Sequence, residues 1–148
     1  MTSDVFPTPE AAMMVGYPPG VCRVLAVAVE GRDGFVVLDT GPAGRPYLYG
    51  GTVERVEGGW VGGSDGNGGA IGWTHTGPEE DIGVLAVWDE APPDADMVRV
   101  AWRGKLHEAP VRNGAFLLTW FREPYPGDDS WPTVVEFRVN GRWPSRRN

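Results

Sequence analysis

Glycine and proline punctuate this chain so densely that long helices have little room to form. There are 22 glycines and 14 prolines among 148 residues, about twice the share usual in globular proteins. They are not gathered into one low-complexity tract; they separate short apolar runs. In a helix interior glycine costs about 1 kcal/mol and proline about 3 kcal/mol relative to alanine, so this spacing selects short strands joined by turns. One segment escapes the pattern, Pro9–Val15, with Thr8 placed as an N-cap and Pro9 at the first helical position. Gly16 and Pro18 end it after about two turns.

The strand candidates follow from alternation. Val21–Val29 puts Val21, Leu25, Val27 and Val29 on one face, and Gly31-Arg32-Asp33-Gly34 turns it back into Phe35–Asp39. Tyr47–Tyr49 and Thr52–Glu57 follow as two strands separated by Gly50-Gly51, then Ala70–Thr74 and Val84–Trp88. In Met97–Arg103, Val98, Val100 and Trp102 alternate with Arg99, Ala101 and Arg103, the pattern of a half-buried strand. Glu108–Arg112 and Ala115–Arg122 flank Asn113-Gly114, a two-residue type I′ turn signal because both residues tolerate positive φ. Thr133–Asn140 closes this C-terminal meander with Val135, Phe137 and Val139 facing in, and Asn140-Gly141 is a second turn of the same kind.

These elements predict an all-β fold, an antiparallel sandwich or barrel of about eight to ten short strands with at most one short N-terminal helix. Gly58–Gly72 holds eight glycines in fifteen residues and divides the chain. Neither half has enough strands to close its own sheet. The expected organisation is therefore a single β domain over residues 1–148, with an N-terminal arm at 1–19 and a glycine-rich loop at 58–72. The text Val98-Arg99-Val100 … Ala109-Pro110-Val111-Arg112-Asn113-Gly114-Ala115-Phe116 … Thr119-Trp120 resembles bacterial immunoglobulin-like β-sandwich modules of unknown function, over about residues 97–148. The resemblance implies no activity and assigns no site residue. The paired cysteines of antibody domains have no counterpart, since Cys22 is the only cysteine.

Charge narrows the function classes. A net charge of −7 argues against nonspecific nucleic-acid binding. Residues 79–96 carry seven acids and no base, while residues 97–148 carry nine bases against five acids. The two regions are expected to be solvated, to face each other or to meet charged partners. A single lysine, Lys105, against twelve arginines reads as the coding bias of a GC-rich genome. No apolar run approaches the 18 residues or so of a membrane span. Residues 1–19 lack the basic and apolar regions of a secretory signal. The expected compartment is the cytoplasm, or an extracytoplasmic one if a targeting segment has been removed. Cys22 sits in an apolar run and reads as a small buried hydrophobe rather than a reactive thiol.

Several motifs touch on chemistry without completing it. Gly62-Gly63-Ser64-Asp65-Gly66 matches G-x-S-x-G, but the nucleophile reading needs a strand-to-helix turn, and Asn67-Gly68-Gly69 cannot start a stable helix. Asp65-Gly66-Asn67-Gly68-Gly69 alternates oxygen ligands like the start of a calcium loop, yet position twelve is Thr76 and no helix flanks it. No phosphate-binding glycine motif is present, so nucleotide binding is unsupported. His75 and His107 stand apart, without the spacing of a zinc site. The acids Glu79-Glu80-Asp81, Asp89-Glu90, Asp94, Asp96 and Asp128-Asp129 lie mostly in turns, and a glycosidase pair needs a defined separation. No catalytic residue, metal ligand or cofactor is assigned.

Seven tryptophans remain to be placed. Trp102 and Trp120 are in phase with inward residues and read as core. Trp60 and Trp73 bracket the glycine segment, and Trp131 and Trp143 each precede a proline. These four are the candidate ligand-binding residues, either an exposed aromatic platform or edge residues closing a sandwich. The leading expectation is a non-enzymatic binding or protein-interaction module with a protein or glycan partner. A carbohydrate-binding sandwich that stacks sugars on these tryptophans comes next, and a small hydrolase using Ser64 or an acidic pair last. Assembly into a homo-oligomer through sheet edges or the charged halves is a further expectation.

Overall fold

A computed structural model describes residues 5–15, 17–18, 20–41, 45–65, 71–79, 81–127 and 131–144. Among them are one helix, α1 (Pro9–Met13), and ten strands: β1 (Arg23–Glu30), β2 (Asp33–Asp39), β3 (Leu48–Val56), β4 (Gly59–Asp65), β5 (Ile71–His75), β6 (Ile82–Glu90), β7 (Ala95–Trp102), β8 (Lys105–Pro110), β9 (Ala115–Pro124) and β10 (Thr133–Val139). All strand pairs are antiparallel. They form three sheets: a first of order β1-β2-β3-β4, a middle one of order β5-β6-β9 and a third of order β10-β7-β8. The fold is all-β and sandwich-like, as its turns and alternation predict.

The helix forms where its cap places it. Thr8 is extended (φ −134°) and its hydroxyl accepts a hydrogen bond from the Ala11 amide at 3.1 Å, with Pro9 opening the helix. Five residues do not hold a helix in water by themselves; Ala12 and Met13 do so by packing on Val36, Leu38, Val53 and Trp60. Just before it, Phe6 and Trp60 exchange backbone hydrogen bonds of 2.8 and 2.7 Å. The arm thus pairs with the edge strand β4 at Phe6, and α1 lies over the outer face of the first sheet. Gly59 permits this approach, because a Cβ there would overlap the Phe6 carbonyl and its φ of +152° already disfavours a side chain.

The sheets stack in layers. Phe35 and Val37 of β2 face Val84, Ala86 and Trp88 of β6, joining the first sheet to the middle one. On the other side of the middle sheet, Val87, Phe116 and Leu118 pack on Val98, Val100 and Ala109 of the third. Val36 and Leu38, the alternate residues of β2, turn to α1 instead. A strand covered on both faces has no polar side to show, which is why Phe35–Leu38 and Val84–Trp88 are unbroken apolar runs. β7, with solvent on its outer face, keeps the strict alternation of Val98, Val100 and Trp102.

Five local expectations change, one of them at Val135, expected to face in but 48% exposed where the register of β10 on β7 shifts between Val134 and Glu136. Gly50-Gly51 does not separate two strands; β3 runs through it without a break from Leu48. Glycine serves close packing here, because a Cβ on Gly50 would lie 2.8 Å from both Phe35 Cε1 and Trp88 Cε2. In β1 a bulge between Val24 and Ala26 shifts the alternation. Leu25 faces the core, whereas Val27 and Val29, expected beside it, lie on the outer face at 36% and 43% exposure. The glycine-rich segment is not loop throughout, since β4 occupies 59–65. The C-terminal half is not one meander. Asn113 and Gly114 do take φ of 56° and 76°, as in a type I′ turn, but β8 and β9 flank it in different sheets. The turn carries the chain from the third sheet to the middle one, and Asn113 Nδ2 anchors it by donating to the Leu25 carbonyl at 3.2 Å.

Candidate functional site

β9 belongs to the middle sheet and β10 to the third, so the connection after Pro124 must cross between layers. It carries Tyr125, Pro126, Trp131 and Pro132. Beside it stands Trp73 of β5, which pairs with Leu85 of β6 and by alternation lies on the side of the sheet turned to the third layer. The Trp73 indole donates to the Glu123 carbonyl at 2.9 Å, and the Trp131 indole to the Gly127 carbonyl at 2.9 Å. Tyr125 sits between the two tryptophans, with ring centroids 5.3 Å from Trp73 and 5.8 Å from Trp131 and interplanar angles of 71° and 79°. Such edge-on contacts suit the quadrupoles of the rings. Pro126 and Pro132 are buried, the two tryptophans are half-buried, and Tyr125 is 58% exposed. The result is an aromatic ledge in which both tryptophan indoles are tied to the main chain and the central ring, Tyr125, is the exposed one.

Polar groups border the ledge. His75, 6.4 Å from Trp73 between ring centroids, has its Nε2 2.8 Å from the Glu79 carbonyl. Glu123, whose carbonyl holds Trp73, reaches Arg103 at 3.5 Å, and the Arg103 guanidinium lies 4.1 Å from the Trp102 ring centre.

The structure thus joins two of the four candidate tryptophans and separates the others. Trp60 is 5% exposed, in the core beneath α1, and Arg55 covers its ring at 4.8 Å. Its place depends on backbone pairing with Phe6, 54 positions away in the chain, which no local pattern announces. Trp143 lies on the outer face of the third sheet under Arg99, whose guanidinium is 3.8 Å from the ring centre. Arg99 also binds Glu108 and Glu136 at 2.8 and 2.6 Å, and Arg138 binds Asp96 at 2.9 Å. A common platform of Trp60, Trp73, Trp131 and Trp143 therefore does not form. Trp102 is buried at 5% exposure, as expected of a core residue, and packs at 4.9 Å on Trp120, which is only half-buried against the core between the middle and third sheets. Tyr125 is the member sequence reasoning missed; its only signal is its place between Pro124 and Pro126.

The other candidates are less promising. Ser64 lies within β4, and its side chain and that of Asp65 are outside the described residues, as is Asn67 of the calcium-like loop. His107 packs edge-on against Trp120 at 5.2 Å. Among the described residues no group of three His, Cys, Asp or Glu side chains is placed to hold a metal ion. Cys22 is half-buried and burial pushes its thiol pKa up. A cleft of about 490 Å³ beside Arg23, Glu90 and Asp94 contains Asp39. Burial alone would raise the Asp39 pKa, but hydrogen bonds from the Gly41 and Tyr47 amides (3.0 and 3.1 Å) and the charge of Arg23 outweigh it and lower the value. The carboxylate is thus engaged in holding its own loop. The acidic run does meet the basic third of the chain, at Glu79–Arg122 and Asp96–Arg138. Among the described residues no helix is long and apolar enough to cross a membrane.

No family model matches the chain, and no curated protein or solved structure is detectably similar to it.

Proposed function

We propose that this protein is a non-enzymatic binding module and that its contact surface is the ledge of Trp73, Tyr125 and Trp131. One observation carries the reading: Tyr125 keeps 58% of its surface in water while its ring meets two tryptophan rings edge-on. An exposed aromatic ring with such neighbours offers a large contact area with little side-chain entropy to lose on binding. Anchors of this kind dominate the energetics of binding surfaces.

Tyr47 supplies a matched control, because it is 57% exposed and belongs to the loop before β3. The test compares what the immobilised protein retains from an extract of its source cells with what Tyr125→Ala and Tyr47→Ala retain. Retention lost only in Tyr125→Ala supports the proposal. Equal retention by all three proteins, or none by the wild type, refutes it.

A further inference from the structure

We infer that the ligand class of the ledge is a neutral oligosaccharide, which lays the C–H face of a pyranose ring on the exposed ring of Tyr125, with half-buried Trp73 and Trp131 as the edge-on supports of that ring. This rests on the binding reading above and narrows it.

The hydrogen-bond inventory separates sugar from peptide. An extended peptide laid on the ledge withdraws a regular row of backbone N–H and C=O groups from water, and each then needs a partner along the row, which the single rim pair Arg103–Glu123 does not supply. The indole N–H groups are the natural donors of an aromatic surface. Here both are already committed to main-chain carbonyls, Trp73 to Glu123 and Trp131 to Gly127. What the ledge presents is ring carbon, with one phenol at its centre. A pyranose matches that offer. One of its faces is a patch of C–H groups, and its hydroxyls project around the equator, where they keep their water or reach polar groups at the rim. Such groups are in place: the Arg103 and Glu123 side chains are 53% and 23% exposed and supply donors and an acceptor.

The scaffold supports the same ligand. Stacking demands that rings stay where the sugar meets them. Trp73 is held by β5 and by its bond to the end of β9, and Trp131 by its bond to Gly127 and by buried Pro132. The ledge is therefore formed before the ligand arrives, so little ordering opposes binding.

The test follows the Trp73 and Trp131 indole N–H resonances, assigned with Trp→Phe variants, in the full-length protein. The probes are hexasaccharides of glucose, N-acetylglucosamine, mannose, galactose and xylose, and a proline-rich decapeptide. At least one hexasaccharide should shift both resonances saturably. Tyr125→Ala should weaken that binding at least tenfold, while Tyr125→Phe and Tyr47→Ala should stay within about twofold of wild type. No shift with any hexasaccharide, or wild-type binding by Tyr125→Ala, overturns the inference. Shifts with the decapeptide alone also overturn it but leave the ledge as the binding surface. If no probe shifts either resonance and Tyr125→Ala retains the same material from extract as wild type, both readings fall.

Discussion

Gly50 offers the sharpest test of how the layers pack. It lies in β3, and nothing in its backbone conformation disfavours a side chain there. With free space around it, alanine would stabilise the protein by about 0.4–1 kcal/mol, through the reduced entropy of the unfolded chain. Space is what the site lacks. A Cβ would stand 2.8 Å from Phe35 Cε1, 2.8 Å from Trp88 Cε2 and 2.9 Å from Phe35 Cζ, well inside the roughly 3.5–4.0 Å optimum between carbon atoms. Both rings are buried and pack on each other at 5.0 Å between centroids, so neither yields freely. Overpacking of this kind costs about 1–3 kcal/mol. Gly62 in β4 is the control, since a Cβ there meets only the Ala12 carbonyl at 3.7 Å. Urea unfolding followed by far-UV circular dichroism should show Gly50→Ala destabilised by about 1–3 kcal/mol and Gly62→Ala unchanged or slightly stabilised. Combining Gly50→Ala with Phe35→Leu, which removes the opposing ring, should cost less than the sum of the two single changes by at least about 0.5 kcal/mol. Equal effects at Gly50 and Gly62, or strict additivity with Phe35→Leu, would refute the packing of the first sheet on the middle one.

Three further outcomes follow from single side chains. Asp39 has a folded-state pKa below its unfolded one, so its stabilisation is present above the ordinary carboxylate range, around pH 4, and is lost as pH falls through the lowered value. Asp39→Ala should destabilise the protein by about 1–3 kcal/mol at pH 7, and the gap to wild type should close in unfolding curves taken on acidification; a gap independent of pH would contradict this. Arg99 covers Trp143, so Arg99→Ala should increase acrylamide quenching of tryptophan fluorescence, and the increase should vanish in a Trp143→Phe background. Cys22, with its thiol pKa raised by burial, should react with iodoacetamide at pH 8 more slowly than free cysteine and reach the free rate on unfolding; reaction at the free rate in the native state would contradict its placement.

Turn chemistry and capping were legible because they act over three or four residues. Thr8 and Pro9 start α1 as read, and Asn113-Gly114 and Asn140-Gly141 take the positive φ their residue types invite. Long-range packing was not legible. Gly50-Gly51 has the composition of a break, but its role is set by Phe35 and Trp88, which only the fold brings near. The β1 bulge adds one residue to one strand and reverses the faces of Val27 and Val29 without a mark in the text. Asn113-Gly114 announces a turn but not that the strands flanking it join different sheets. The candidate site shows the same division. Surplus tryptophan pointed to aromatic chemistry, and Trp73 and Trp131 do converge. Their meeting point is Tyr125, on a connection whose path is decided by β9 and β10 lying in separate layers.

The ledge itself is tested most directly by fluorine NMR of protein labelled with 5-fluorotryptophan, in which the seven tryptophans are assigned by Trp→Phe variants. On addition of extract from the source cells, the Trp73 and Trp131 resonances should shift together, while those of buried Trp60 and Trp88 stay fixed. Unmoved Trp73 and Trp131 signals, or a shift confined to Trp143, would contradict a binding surface centred on Tyr125.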